Sequence, residues 1–135
     1  MAYADVMLQS HPTSPAVADQ DALVACIRAC LDCSQACSAC ASACLAEPMV
    51  AELRSCIRTD LACADICEAT GRVLSRQPTD DASATRALLE ACLTVCAACA
   101  QECEAHADMH EHCRACAEAC RRCEQACRDL LAVLS

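Results

Sequence analysis

A run of cysteines at helical spacing constrains the fold of this chain more than any other feature. Between Cys26 and Cys44 the sequence reads CIRACLDCSQACSACASAC, and its six cysteines are separated by 4, 3, 4, 3 and 4 positions. At 100° per residue, this spacing places all six side chains within an arc of about 80° on one face of an α-helix. The other face carries Arg28, Asp32 and Gln35. The segment therefore predicts a helix that is polar outside and lined with thiols inside.

The same pattern recurs in three further segments, which read CIRTDLACADIC, CLTVCAACAQEC and CRACAEACRRCEQAC. Proline and helix-capping residues separate the segments, so each one is expected to form its own helix. The predicted helices run from Ser14–Pro15 to about Leu45 and then over about 49–76, 81–107 and 108–134. Their predicted N-caps are Ser14, either Thr79 or Asp80, and Asp108, which would form a capping box with Glu111.

Four helices of similar length with short connections predict an all-α fold, an up-down-up-down antiparallel four-helix bundle with a cysteine-lined core. The chain has 135 residues, which suits one domain, and the bundle is assigned to residues 14–135. Residues 1–13 form either a short helix or a loose N-terminal arm. Alanine fills the gaps between cysteines, and it favours helix and lets neighbouring helices approach closely.

Charge and hydropathy exclude several classes of function. The net charge is −9, and the ten basic residues are all arginines without a cluster, so binding to nucleic acid or to an anionic membrane is not expected. The N-terminus lacks a secretory signal, and no uninterrupted apolar run approaches the ~20 residues of a membrane span. A cytoplasmic location is therefore expected, where thiols stay reduced. No nucleophile–base pair is recognisable, so the chain is not expected to be an enzyme.

Eighteen cysteines in phase with the core exceed any packing requirement. Pairs at i and i+4 on one helix suit disulfide geometry poorly, although cross-helix disulfides remain open under oxidising conditions. The uninterrupted thiol ladder also differs from a closed zinc site and from a compact iron–sulfur loop. Soft thiolates favour Cu(I), and replacing one thiol proton by one Cu⁺ keeps the interior neutral. The sequence thus predicts about 18 Cu(I) ions per chain, at roughly one per cysteine.

The predicted metal ligands begin with every cysteine of the chain: Cys26, Cys30, Cys33, Cys37, Cys40, Cys44, Cys56, Cys63, Cys67, Cys92, Cys96, Cys99, Cys103, Cys113, Cys116, Cys120, Cys123 and Cys127. Helical spacing places Asp60 on the same face of its helix as the cysteines (the cysteine stripe), either as a ligand or as a hydrogen-bonded polar group near solvent. The third stripe continues to His106 and His110, which form either a metal-binding pair or a solvated helix end. His112 and His11 have weaker claims.

The predicted topology gives the two ends of the bundle different chemistry. One end gathers the histidines with Met49 and Met109, which are candidate entrance ligands, and the other gathers leucines such as Leu23, Leu74 and Leu130. Metal is expected to enter at the first end. Asp60 lies some turns below it, so contact between Asp60 and the histidines would require stagger between helices.

On the four cysteine-lined stripes quoted above, the chain resembles the bacterial four-helix-bundle copper storage proteins, and its lack of a signal peptide resembles their cytosolic members. The resemblance covers about residues 22–134. It implies storage of many Cu(I) ions, no catalytic turnover and a homotetramer. It also implies that Asp60, His106 and His110 handle copper at the entrance. The alternative is a copper chaperone or metal-responsive sensor that binds few ions, and no copper donor or acceptor is assigned.

Overall fold

The computed structural model describes residues 3–12, 19–76 and 82–134, and its regular elements are all helical. They are α1 (Tyr3–Ser10), α2 (Gln20–Leu45), a 3₁₀ helix (Val50–Leu53), α3 (Arg54–Ser75), α4 (Ala82–Glu104) and α5 (Glu111–Val133). The predicted all-α fold is therefore confirmed. Of the two alternatives for the N-terminal segment, the structure shows a short helix, which buries Leu8.

The four long helices surround one core. Helix α2 packs against α3 and α5, and α4 packs against the same two helices. Every cysteine lies on the inner face of its helix and is at most 2% exposed. At one end of the cysteine series each helix carries a fully buried leucine, which precedes the first cysteine in α2 and α4 and follows the last one in α3 and α5: Leu23, Leu89, Leu74 and Leu130. The core is thus a column of sulfur that aliphatic side chains close at one end.

Helix α2 ends at Leu45, as predicted, and begins at Gln20. Its N-cap is Asp19, whose carboxylate accepts a hydrogen bond from the backbone N–H of Ala22 at 3.0 Å. Such a cap satisfies one of the donors that the first helical turn leaves free. The predicted start at Ser14–Pro15 lies outside the described residues, and so do the predicted caps Thr79 and Asp80.

Three of the predicted boundaries differ in the structure. The second segment begins with the 3₁₀ turn Val50–Leu53, and this tighter turn buries the Leu53 side chain. Helix α4 ends at Glu104 rather than near 107, because residues 105–109 form a turn in which His106 N–H bonds the Cys103 carbonyl. The predicted capping box at Asp108 is wrong, since this turn places His110 at the N-cap of α5, without a side-chain cap.

By length and composition alone, α2 and α4 are long and apolar enough to cross a membrane, a property that the core helices of soluble proteins share. Much of the hydropathy of these two helices comes from cysteine and alanine, which recur along both. The cysteines of both helices face the core.

Gly71, the chain's one glycine, lies near the C-terminal end of α3 and packs against α2. A Cβ atom there would lie 3.3 Å from Cys30 Cβ and 3.3 Å from Leu31 Cδ2. Gly71→Val should therefore lower the free energy of unfolding by about 1–3 kcal/mol through overpacking. Chemical denaturation of the reduced, metal-free protein measures the change. Ala69→Val on the exposed face of the same helix is the control, and an equal loss in both variants would contradict close packing as the cause.

Candidate metal site

The core brings the eighteen predicted cysteine ligands together as free thiols. Neighbouring sulfurs lie 3.4 Å apart at the closest, between Cys67 and Cys96, and many other pairs lie at 3.6–4.0 Å. A disulfide requires about 2.05 Å, so these are contacts between thiols that are not bonded to each other. The contacts join residues up to 101 positions apart, as between Cys26 and Cys127.

The sulfurs form overlapping groups of four, and within each group the ligand atoms lie within 4.8 Å of one another. Along the column these groups include Cys40/Cys44/Cys56/Cys113, Cys37/Cys99/Cys116/Cys120, Cys33/Cys37/Cys63/Cys120, Cys33/Cys63/Cys67/Cys96 and Cys30/Cys92/Cys123/Cys127. Within these five groups, Cys33, Cys37, Cys63 and Cys120 each occur twice. The shared sulfurs link the three central groups, and each is placed to bridge two metal ions. Cys67 connects these groups to the one at the leucine end, because it lies 3.8 Å from Cys92. Asp60 connects them to the group that contains Cys56, because it contacts both Cys56 and Cys99.

Sulfur spacing alone does not select the metal. A tetrahedral ion with sulfur ligands at about 2.3 Å needs sulfurs roughly 3.8 Å apart, which these groups also offer. The sharing of sulfurs between groups favours an ion that is satisfied by two or three thiolates, as Cu(I) is. Charge favours the same ion, because each Cu⁺ replaces one proton.

Burial favours the neutral form of the thiols that line the core of the metal-free protein. Burial raises the pKa of Cys44 to about 11 and raises that of Cys113 as well, because a thiolate loses its hydration in the core. Hydrogen bonds between thiols shift protons within the lining: Cys127 lowers the pKa of Cys26, whereas Cys123 and Cys26 raise that of Cys127. Such bonds redistribute protons among the sulfurs without removing them.

Asp60 lies inside this column, fully buried on α3. Its Oδ1 accepts hydrogen bonds from the thiols of Cys99 (3.1 Å), Cys116 (3.3 Å) and Cys103 (3.4 Å). Burial, with the nearby thiols of Cys116 and Cys99, raises the pKa of the Asp60 carboxyl to about 10. The group is therefore a neutral acid at pH 7, and its second oxygen, Oδ2, lies 3.9 Å from Cys56 Sγ. Of the two alternatives for Asp60, the one that placed it near solvent is wrong.

A histidine pair lies at the end of the column opposite the leucines. The rings of His110 and His112 stack with centroids 5.3 Å apart. His112 Nδ1 faces three thiols, Cys40 at 3.5 Å, Cys113 at 3.6 Å and Cys44 at 4.0 Å, which we name the rim thiols. His112, which the sequence ranked below His106 and His110 as a metal ligand, thus contacts the sulfur column.

Glu47 holds both rings from the connection that follows α2. Its Oε2 lies 2.8 Å from His112 Nε2 and 3.0 Å from His110 Nδ1. The hydrogen bond from His112 holds the pKa of the Glu47 carboxyl below its usual range. Sequence periodicity did not single out Glu47, because this residue lies in the connection after the last cysteine of α2. The signal that was available was an acidic residue at the same end as the histidines.

The remaining predicted entrance residues lie farther out. His106 lies in the turn after α4, where its Nε2 is 3.7 Å from Glu102 Oε1. Met109 is 64% exposed in the same turn, and Met49 is half-buried before the 3₁₀ helix. Asp60 lies one layer below the rim thiols. Cys56 lies between the two layers, because its sulfur groups with the rim thiols and also contacts Asp60.

Comparison with known proteins gives a consistent result. The family described as copper storage protein matches residues 19–132. The copper storage protein Ccsp from Streptomyces lividans, loaded with 10 copper equivalents, is 59% identical with a TM-score of 0.94, and the match covers 97% of this chain and 99% of that one. A cytosolic copper storage protein from the same organism, with five coppers, is 64% identical with a TM-score of 0.83 over 85% of this chain and 96% of that one. Cu(I)-bound Csp3 of Bacillus subtilis is 38% identical with a TM-score of 0.69 over 82% and 96%. No curated protein matches the chain.

Proposed function

The chain belongs to the copper storage protein family, and from that premise we propose that it stores many Cu(I) ions in the cytosol by exchanging thiol protons for copper. The observation that carries this proposal is the series of buried four-sulfur groups, of which the central three share members. Each Cu⁺ that binds releases one proton, so the core stays neutral as it fills. The two Streptomyces structures are described as having ten copper equivalents and five coppers, and the second as a cytosolic copper storage protein.

We assign the ligands by layer. The eighteen cysteines of the column form the store, and Asp60 supplies an oxygen within it. His106, His110 and the exposed Met109 form the outer path, with Met49 beside it, and His112 joins them because its Nδ1 reaches the rim thiols. The soft sulfur and nitrogen donors thus continue from the surface into the core, where Cu(I) is preferred over harder ions.

We further propose the up-down-up-down topology of an antiparallel four-helix bundle for residues 14–135, with residues 1–13 as a separate N-terminal segment. Two contacts support opposite directions for α2 and α5: Cys26 meets Cys127, and Cys44 meets Cys113. A homotetramer is proposed as the assembly. The apolar side chains of Tyr3, Met7, Leu31 and Leu61 are exposed on the monomer and support burial between copies.

A storage role accounts for the site better than a chaperone or sensor role. A chaperone needs one accessible, exchangeable site, whereas the thiols here are at most 2% exposed. We propose neither a catalytic role nor a nucleic-acid or membrane partner.

Titration of the reduced, metal-free protein with Cu(I) against a chromophoric chelator tests this function. Because one ion replaces one proton, uptake should continue to on the order of 18 equivalents. Release of about one proton per ion, followed in weakly buffered solution, should accompany it. Saturation at one or two equivalents would contradict storage and favour the chaperone or sensor.

A further inference from the structure

Glu47 is the one carboxylate that touches both stacked histidines at the rim of the column among the described residues. It lies two positions after the last residue of α2, and its backbone N–H donates a hydrogen bond to the Cys44 carbonyl at 3.2 Å. This bond and the adjacent Pro48 fix the backbone beside a rim thiol. The carboxylate therefore has a defined position relative to the thiols that His112 faces.

The hydrogen-bond pattern determines where the His112 ring carries its proton. An ionised carboxylate can only accept hydrogen bonds, so the nitrogen that faces it carries the hydrogen. In His112 that nitrogen is Nε2, 2.8 Å from Glu47 Oε2. In the neutral ring Nδ1 is then unprotonated, and its lone pair points at the rim thiols.

We propose that Glu47 is a positioning residue for copper uptake, which fixes His112 in the tautomer whose unprotonated Nδ1 faces Cys40, Cys44 and Cys113. This inference rests on the proposed storage function and adds a residue to it. Carboxylate–histidine pairs orient ligand rings at metal sites and raise their basicity. A Cu⁺ held by Nδ1 passes to a rim thiol when the thiol loses its proton to water and its sulfur replaces the nitrogen as ligand.

His110 shares the same carboxylate oxygen but has a different geometry. Its Nδ1 faces Glu47 at 3.0 Å, and its ring stacks on His112. Glu47 and His110 therefore hold His112 from its edge and from its face. Loss of the carboxylate frees the ring to rotate and to place a protonated nitrogen toward the thiols.

The first test reads the tautomer in the metal-free protein by ¹⁵N NMR of labelled imidazoles. His112 should show Nε2–H and an unprotonated Nδ1, and Glu47→Gln should shift it to a mixture of tautomers. Glu47→Asp keeps the charge but is one methylene shorter, so it should resemble Glu47→Gln. An unchanged His112 signal in both folded variants would overturn the proposal.

The second test follows the loading rate by stopped flow, with a chromophoric Cu(I)–chelator complex as donor. Glu47→Gln should load its first equivalents about 10-fold more slowly than wild type, with the final capacity unchanged. Glu52→Gln is the matched control, since it removes one exposed carboxylate five positions away. In a His112→Ala background, Glu47→Gln should have less than about twofold effect, because the coupling is lost.

The outcomes separate positioning from other roles. Equal slowing by Glu47→Gln and Glu52→Gln, or slowing that persists without His112, would mean that the charge attracts copper directly and would overturn the proposal. A wild-type capacity of only one or two equivalents would contradict storage instead. That result would leave the tautomer measurement, which uses no copper, to decide the position of His112.

Discussion

Saturation with Cu(I) should raise the free energy of unfolding by more than about 10 kcal/mol, since several sites each contribute about 4 kcal/mol when free copper exceeds their dissociation constants by a thousandfold. The reason is that the ligand set exists only in the folded chain. In the group Cys37/Cys99/Cys116/Cys120 the sulfurs come from α2, α4 and α5. Each ion bound there links helices that unfolding must separate. Scanning calorimetry under anaerobic conditions should show a melting temperature that rises with each added equivalent.

A pair of cysteine variants tests whether the shared sulfurs account for the stabilisation that copper produces. Cys63 belongs to two of the five four-sulfur groups named above, whereas Cys26 lies at the end of the column. Cys63→Ala should therefore reduce the copper-induced rise in melting temperature more than Cys26→Ala does. Both substitutions remove the same atom from a fully buried position, so the two metal-free variants serve as matched controls. A melting temperature that does not change on loading, or one that reaches its maximum at the first equivalent, would contradict a store of linked sites.

The core of this protein was predictable because one signal, the cysteine spacing, was repeated four times. A 3–4 alternation fixes one face of a helix, and burial of that face follows from the hydropathy of thiols. The structure accordingly places every cysteine in the core. Contacts such as Cys37 with Cys99 at 3.9 Å were not predictable, since spacing gives the face of a helix and not its neighbour.

The entrance was less predictable, because it is built from turns. The phase of the third stripe assigned His106 and His110 to one helical face, but α4 ends at Glu104 and the phase is lost in the turn that follows. His112 lies in the first turn of α5, whose periodicity is independent of that of α4, and its side chain contacts the rim thiols. Helical periodicity holds only within one helix, so it cannot order residues across a turn.

For Asp60, helical periodicity predicted the face of the helix but not the side chain's protonation state. The cysteine spacing predicts that the Asp60 side chain faces the core, and in the structure it is fully buried there. Its protonation state depends on neighbours from three helices, namely Cys56, Cys99 and Cys116. These contacts become known only once the helices are packed.

The metal-free protein should become less stable as the pH rises from 5 to 8, and Asp60 should be the main cause. Burial raises the pKa of Asp60 from its ordinary value of 3.8 to about 10 in the folded chain. Between these two values the folded protein keeps a proton that the unfolded chain has lost. The unfolded state therefore binds fewer protons, and the free energy of unfolding falls as pH rises, by up to about 1.4 kcal/mol per pH unit.

Asp60→Asn keeps the shape of the side chain and removes its titration. Relative to that of wild type, the free energy of unfolding of Asp60→Asn should rise by about 2–4 kcal/mol between pH 5 and pH 8. Denaturant unfolding of the reduced, metal-free proteins across this range measures it. Asp65→Asn, at an exposed position of the same helix, should leave the wild-type slope unchanged.

Copper should reverse the role of Asp60. Once an ion binds among Cys99, Cys103 and Cys116, the carboxyl can lose its proton and balance a positive charge at the same place. The stabilisation gained on loading should then be smaller in Asp60→Asn than in wild type, although the variant is the more stable metal-free protein at pH 8. A wild-type pH slope that persists in Asp60→Asn would show that Asp60 is already ionised before copper binds, because only the titration of this carboxyl separates the two proteins.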